Sequence, residues 1–126
     1  MRVSLGLVLV CLLCLFALTG DARQGSVRVT VTAYCDGTVT AAGTRPRPGI
    51  IALSRDVERL LGVQFGDHVR LEGVGEYVFL DRMPWYWYRR VDIYVPPRAK
   101  ALEFGIRHYV TLSVPGRLAE APAPGL

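Results

Sequence analysis

The chain has few of the side chains that hold metal ions or form covalent cross-links. Among its 126 residues there are two histidines and three cysteines. Cys11 and Cys14 lie in an apolar N-terminal run, which leaves Cys35 alone in the rest of the chain. His68 and His108 each fall in a strand-like pattern, without the i, i+4 or C-x-x-C spacing of zinc ligands. The sequence therefore predicts neither a metal site nor an intramolecular disulfide.

Signatures of several function classes are missing as well. The chain contains no G-x-S-x-G elbow and no phosphate-binding glycine loop. Cys35 has no evident base, which favours an inert thiol over a nucleophile. Lysine and arginine number 15 against 11 acidic residues, a net charge of +4, but they form no basic block. This diffuse excess argues against a nucleic-acid partner and suits an anionic polymer such as a cell wall.

One long apolar run is present, at the N-terminus. After Met1-Arg2, residues 3–18 are almost wholly apolar, and small residues at 20–22 have the spacing that a signal peptidase reads. We therefore expect residues 1–22 to be a signal peptide, and the protein to be exported to the periplasm, the outer membrane or the extracellular space. No integral membrane domain is expected after cleavage. The alternative is a retained anchor, because the run is near the lower length limit of a spanning helix.

The rest of the chain reads as short strands with two short helices. Alternating apolar residues, bounded by Gly, Pro and small polar residues, predict strands at 26–34, 50–53, 68–73, 75–83, 89–95 and 107–114. A helix is expected to begin after Ser54, acting as N-cap, and to end at Gly62. A second is expected from Pro96-Pro97 to Gly105. Six short strands with one polar face favour a small closed barrel over an open sheet. We assign residues 23–114 to this domain and expect the Pro/Ala-rich tail, residues 115–126, to be disordered.

Two aspartates that interrupt apolar strands are the candidate catalytic residues. Asp92 lies in "VDIYV" and must project away from Val91 and Ile93, whereas Asp81 ends the preceding strand with the parity of Phe79. If these consecutive strands are neighbours, both carboxyls open onto one groove, where a raised pKa would suit a general acid. The alternative is a solvated strand face, or a carboxylate paired with a nearby arginine.

Aromatic and hydroxyl side chains near these aspartates are candidates for binding sugar. Four consecutive aromatics occupy residues 85–88, and their two tryptophans could stack on the apolar faces of sugar rings or simply plug a barrel end. Three hydroxyl-bearing residues lie beside or within the long glycine- and proline-rich loop after the first strand. The candidate substrate-binding residues are Tyr34, Thr40, Thr44, Trp85 and Trp87.

Four segments in order carry a family resemblance: "TAYCDGTVTAAGTRPRPGIIALS", "FGDHVRLEG", "LDRMPWYWYRRVDIYV" and "KALEFGIRHYVTLSV". Together they resemble the 3D domain, a small family named for three aspartates, over residues 28–114. The resemblance implies a mainly β fold, a six-stranded double-psi β-barrel related to the catalytic barrel of membrane-bound lytic transglycosylase A and similar to rare lipoprotein A. It implies bacterial peptidoglycan glycan strands as the partner, cleaved without a metal or cofactor.

The resemblance also implies roles for single residues. The acid in "VDIYV" matches the catalytic aspartate of the related transglycosylase, so Asp92 inherits that role, and Asp81 matches the second family aspartate. Ser54 stands where relatives usually carry the first aspartate. Because serine can cap a helix as aspartate does, that family aspartate is interpreted as structural. Many relatives have a glycine-rich turn after the middle aspartate, where this chain has "DRMPWYWYRR".

Three functions are carried forward as hypotheses. The leading one is a secreted lytic transglycosylase-like enzyme that cleaves the bond between N-acetylmuramic acid and N-acetylglucosamine, with Asp92 as the acid. In this hypothesis the acid is oriented, or the sugar hydroxyls are bound, by Asp81, Tyr34 and Thr40. The second is a non-catalytic cell-wall binding module on the same barrel. The third is a periplasmic protein-interaction domain that uses the turn with the four aromatics of residues 85–88 as a hydrophobic anchor.

Overall fold

The computed structural model of the protein describes residues 25–117. The expected signal peptide lies outside the described residues, as does the tail from residue 118 onward. Residues 115–117 form a turn in which the Arg117 guanidinium donates hydrogen bonds to the carbonyls of Leu61 and Gly62. None of the helices in the described part of the chain has the length and apolar character that crossing a bilayer requires.

The fold is mainly β, with six strands and two short helices, as the sequence predicts. The elements are β1 (Ser26–Tyr34), β2 (Ile50–Leu53), α1 (Arg55–Leu61), β3 (His68–Leu71), β4 (Gly75–Arg82), β5 (Arg90–Tyr94), α2 (Arg98–Phe104) and β6 (Arg107–Ser113). The strands close into a barrel in the order β1-β5-β2-β4-β3-β6. Closure leaves no sheet edge unpaired, which suits a small domain built from strands this short.

The barrel interior is filled by the apolar residues of the alternating patterns. Branched aliphatic side chains and Phe79 are excluded from solvent, and Val57 and Leu61 of α1 join the same cluster. Each such side chain contributes about 1.5–3 kcal/mol by burial. The core members from the strands are Val27, Val29, Val31, Ile51, Leu53, Val69, Leu71, Phe79, Val91, Ile93 and Leu112.

Strand neighbours differ from chain order in a way that matters for the two aspartates. β4 and β5 are consecutive in the chain but do not pair, because β2 lies between them, parallel to β4 and antiparallel to β5. β5 also pairs in parallel with β1. The condition that the two aspartate strands are direct neighbours is therefore not met, and β2 lies at the centre of a three-strand arrangement.

A bulge in β4 corrects the predicted parity of Asp81. Ile51 pairs with Phe79, but the next residue, Ala52, pairs with Asp81, so Leu80 is an extra residue in β4. Phe79 faces the core, and the inserted residue turns Asp81 away from it onto the face of Ala52. Simple alternation, which gives Asp81 the parity of Phe79, is wrong at this position for that reason.

Ser54 occupies the N-cap position of α1 without capping it through its side chain. Its backbone is extended, as an N-cap requires, and Gly62 ends the helix in the left-handed conformation with φ 58°. The buried hydroxyl instead donates to Oδ1 of Asp56 at 2.6 Å and accepts from the Arg90 backbone N–H at 3.2 Å. The predicted side-chain cap is wrong because this oxygen is used to join α1 to the start of β5.

Candidate functional site

Strand register places the two aspartates on one outer face of the barrel. Thr32 on β1 pairs with Asp92 on β5, Asp92 pairs with Ala52 on β2, and Ala52 pairs with Asp81 on β4. Side chains at paired positions share a face of the sheet, so these four residues form one row, here called the Asp92 row. Because Ala52 carries only a methyl group, little bulk separates the two carboxylates.

Asp92 is a half-buried acid with a raised pKa. Burial raises the pKa of Asp92 to about 6, and the charges of Asp81 and Asp36 act in the same direction. Thr32 opposes this, because its hydroxyl donates a 3.1 Å hydrogen bond to Oδ1, and so does the positive charge of Arg90. A carboxyl with a pKa near 6 is substantially protonated in mildly acidic solution and still ionises readily, which suits a general acid.

Asp81 is held very differently, as an acceptor of three hydrogen bonds. Its Oδ1 accepts from the backbone N–H groups of Ala41 and Arg82, both at 2.9 Å. Its Oδ2 accepts from the Tyr34 hydroxyl at 3.0 Å. These donors come from three separate segments, so the Asp81 carboxylate has a fixed orientation. The two aspartates thus have separate capabilities: Asp92 is suited to exchange a proton, and Asp81 to supply a fixed negative charge.

Tyr34 connects the two ends of the site. Its hydroxyl reaches from β1 to Asp81 on β4, and its ring makes an edge contact with Tyr94 at a centroid distance of 5.3 Å. Burial raises the pKa of Tyr34 far above its usual value, and the neighbouring charge of Asp81 adds to the effect. The phenol therefore stays neutral and remains a hydrogen-bond donor throughout the physiological pH range.

Thr40 and Thr44 shape the long loop (residues 35–49) that carries Ala41 to Asp81. Thr40 is buried, and its hydroxyl lies 2.9 Å from the Thr44 hydroxyl. The backbone N–H of Thr40 donates to the Thr44 carbonyl at 2.8 Å, and Ala42 N–H donates to the Leu80 carbonyl at 3.0 Å. The structure thus places these threonines in the support of Asp81, with their hydroxyls engaged mainly with each other.

The aromatic turn (residues 84–89) meets the site through one of its two tryptophans. The ring of Trp87 lies under the Arg90 guanidinium, at 4.0 Å from centroid to Cζ. Arg90 precedes Asp92 by two residues and shares its outer face, so Trp87 holds the cation that lowers the pKa of Asp92. Trp85 is 76% exposed and makes an edge contact with Tyr86, outside the Asp92 row.

Sequence reasoning missed two residues of the site, Thr32 and Arg90. The sequence does indicate that both side chains point outward from β1 and β5, because each residue alternates with core valines. The sequence does not reveal that β1 and β5 pair in parallel. This pairing brings "TVTAY" beside "RVDIY", two segments that are about sixty residues apart in the chain. Long-range pairing, and not residue type, made these two residues functional candidates.

A cavity of about 310 Å³ lies next to the strand that carries Asp92, and no residue of the Asp92 row lines it. It is lined by Tyr94, two residues beyond Asp92 on β5, and by four residues of the long loop: Gly37, Thr38, Arg45 and Pro46. Cys35 lies at the start of that loop, where the hydrogen bond from its thiol to Asp36 raises the pKa of the thiol. A thiolate nucleophile is therefore disfavoured there.

Comparison with known proteins adds no assignment to this geometry. No protein-family model matches the chain, and no curated protein matches it. Within residues 25–117, the His, Cys, Asp and Glu side chains form no group of three or more that could bind a metal ion. Function has to be inferred from the chemistry of the Asp92 row itself.

Proposed function

We propose that the protein is an exported bacterial enzyme that cleaves the glycan strands of peptidoglycan, as a double-psi β-barrel of the 3D domain family. The observation that carries the proposal is Asp92, a half-buried carboxyl with a pKa of about 6 on the same outer face of the barrel as a second, fixed carboxylate. The resemblance of the "VDIYV" segment to the catalytic segment of lytic transglycosylases supports the same residue. The excess of basic residues supports an anionic polymer as substrate.

Asp92 acts as the acid and then as the base. It gives its proton to the oxygen that links C1 of N-acetylmuramic acid to N-acetylglucosamine, and the C1–O bond breaks with its electron pair on that oxygen. The C6 hydroxyl oxygen of the muramoyl unit then bonds to C1. Its proton passes to the Asp92 carboxylate, which restores the acid and leaves a 1,6-anhydro ring. No water is consumed, so the second carboxyl of a hydrolase is not required.

The neighbours of Asp92 serve the two halves of this cycle. The negative charge of Asp81 favours protonated Asp92 before cleavage and faces the positive charge that develops at C1. The Thr32 hydroxyl and the Arg90 cation favour the carboxylate that forms when the proton leaves. Tyr34 fixes Asp81, and Thr40 and Thr44 hold the loop that brings the Ala41 amide to it.

The test is product release from purified sacculi. The wild-type protein is expected to release soluble muropeptides with 1,6-anhydro ends, detected by mass spectrometry, whereas Asp92→Asn should reduce the rate by at least about a hundredfold. Asp67→Asn is the matched control, because Asp67 lies in the turn before β3 and accepts a hydrogen bond from Gln64, away from the row. Unchanged activity of a folded Asp92→Asn protein would rule out this mechanism.

A second candidate function, a non-catalytic cell-wall binding module, is favoured by the aromatic turn. Trp85 and Tyr88 are 76% and 71% exposed, as stacking platforms for sugar rings would be. In that case insoluble peptidoglycan retains the protein without soluble product. Retention would then fall in Trp85→Ala and stay unchanged in Asp92→Asn.

A further inference from the structure

A second cavity, of about 420 Å³, lies on the other side of the Asp92 row from the cavity at Tyr94. It is lined by Arg28, Val29, Thr30, Arg89 and Tyr109. Thr30 precedes Thr32 by two residues on β1 and pairs with Arg90, which precedes Asp92 by two residues on β5. Since two residues of extended strand rise about 7 Å, this cavity begins about that distance along the strands from the acid.

Backbone strain is concentrated at this cavity. In residues 25–117 two non-glycine residues have positive φ, Arg89 at 49° and Tyr109 at 57°, and both line it. Such angles are unfavourable for side-chain-bearing residues, most of all for bulky ones, and tend to persist at functional sites. Two independent features, a cavity and the unusual backbone angles, thus coincide at one place.

Tyr109 owes its conformation to a bulge in β6. Val29 pairs with Val110 and Val31 pairs with Arg107, so His108 and Tyr109 together oppose Thr30 alone. A bulge of this kind redirects a side chain, and here the redirected ring borders the cavity. Because Tyr109 is 82% exposed, packing of its own ring does not offset the strain.

The lining has the chemistry of an oxyanion site. Arg28 has no salt-bridge partner within the described residues, and Arg89 lies 3.7 Å from Asp56, a loose pair that leaves part of its guanidinium available. The Thr30 hydroxyl lies 3.3 Å from Nδ1 of His108, and no acidic residue lines the cavity. Two guanidinium groups bind a carboxylate or phosphate through charge-assisted hydrogen bonds, while the exposed Tyr109 ring can stack on an attached sugar.

We propose that this cavity is a subsite for a negatively charged substituent of the saccharide chain, held by Arg28 and Arg89 while Asp92 acts on the neighbouring glycosidic bond. The inference rests on the proposed function and adds to it the charge of the preferred substrate. A carboxylate on the glycan or its peptide and a phosphate of an anionic wall polymer share this chemistry. Titrations with glycan strands and with a phosphate polymer separate these two sources.

The experiment compares binding of charged and neutral ligands by titration calorimetry. Soluble glycan strands with free carboxylates are measured beside the same strands with their carboxyls converted to amides. All titrations use the Asp92→Asn background, so that the strands are bound without being cleaved. In that background the charged form should bind about tenfold more tightly than the neutral form, and Arg28→Gln should lose that preference without weakening binding of the neutral form. Arg28→Lys should retain most of the preference. Arg70→Gln is the matched control, because Arg70 is an exposed arginine on β3 that does not line the cavity, and it should retain all of the preference.

Tyr109→Gly gives a second, structural readout. Glycine accepts the φ of this position without strain, so the melting temperature should stay the same or rise, while affinity for the charged strands falls. Loss of affinity together with a large loss of stability would instead assign Tyr109 a purely structural role and would contradict its part in the site.

A second set of titrations keeps this proposal separate from the proposed function. Inorganic phosphate and a glycerol-phosphate polymer are tested alone, with the same variants. If no glycan binds but the polymer binds and Arg28→Gln weakens it, the proposed function fails and the anion site stands, with phosphate as its ligand. Equal binding of charged and neutral strands, with no effect of Arg28→Gln on any anion, would overturn the anion site.

Discussion

At the scale of single residues, Asp92 and Asp81 show how one residue type is held in two different ways on two strands that β2 separates. Asp81 accepts three hydrogen bonds, whereas the described residues give the Asp92 carboxyl a single donor, Thr32. Burial with few compensating donors raises the pKa of Asp92 to about 6. The surroundings of the Asp92 carboxyl, and not the residue type alone, therefore set its pKa.

The Thr32 hydroxyl tunes the pKa of Asp92, which the pH profile of glycan cleavage can test. The hydrogen bond from Thr32 lowers the pKa of Asp92, so Thr32→Val, which keeps the side-chain shape, should raise it. The acid must be protonated to act, so wild-type activity should fall as pH rises through about 6, and the variant should keep activity to higher pH.

The control for this profile is Thr111→Val, which removes a hydroxyl from β6, a strand that does not pair with β5. The activity of this variant should fall over the same pH range as the activity of the wild-type protein. If Thr32→Val lowers the rate at every pH without changing the pH at which activity falls, Thr32 positions the substrate and does not tune the pKa of Asp92.

At the scale of elements, α1 and the aromatic turn are joined by one acidic side chain. Asp56 accepts the Ser54 hydroxyl on Oδ1 and the Arg89 backbone N–H on Oδ2, the latter at 3.0 Å. Ser54 in turn accepts the Arg90 N–H. Ser54 and Asp56 together satisfy the backbone at the start of β5, the strand that carries Asp92.

Asp56→Ala should therefore loosen the start of β5. The change leaves the Arg89 N–H and the buried Ser54 hydroxyl without their acceptor, which costs about 2 kcal/mol in the free energy of unfolding. Urea denaturation measures the loss. Glu103→Ala, which removes an exposed acid from α2, is the control and should stay within about 0.5 kcal/mol of wild type. Equal stability of the two variants would show that the Asp56 contacts contribute nothing net.

The elements also show what sequence can predict here. Each strand was predicted to within two residues, because burial inside a narrow barrel enforces strict alternation, as in β1 and β5. The parallel pairing of β1 with β5, the insertion of β2 between β4 and β5, and the bulge at Leu80 were not predicted. These depend on contacts distant in sequence, which local periodicity does not encode.

At the scale of the whole molecule, charge is arranged along one face of the barrel with the acids at its centre. Asp92 and Asp81 occupy the middle of the face, Arg45 lines the cavity at the Tyr94 end, and Arg28 with Arg89 lines the cavity at the other. Under the proposed function, these cations would face charged substituents on both sides of the bond that is cleaved. The net charge of +4 strengthens the attraction at low ionic strength.

The raised pKa of Asp92 has a consequence for the stability of the whole barrel. An unfolded aspartate titrates near 3.8 and folded Asp92 near 6, so between these values the folded protein binds the extra proton. Stability from this group is fully present below about pH 4 and is lost as pH rises through about 6. Above pH 6 the barrel therefore holds a half-buried charge that the unfolded chain would solvate, which is a cost expected of a catalytic acid.

Asp92→Asn should remove that cost while abolishing cleavage. The variant is expected to melt at a higher temperature than the wild-type protein at pH 7.5, and the difference should disappear by about pH 4, where both side chains are neutral. Thermal melts followed by circular dichroism across this pH range provide the measurement, with Asp67→Asn as the control. A variant that is less stable at pH 7.5 would mean that the Asp92 carboxylate stabilises the fold, which would contradict the raised pKa of this group.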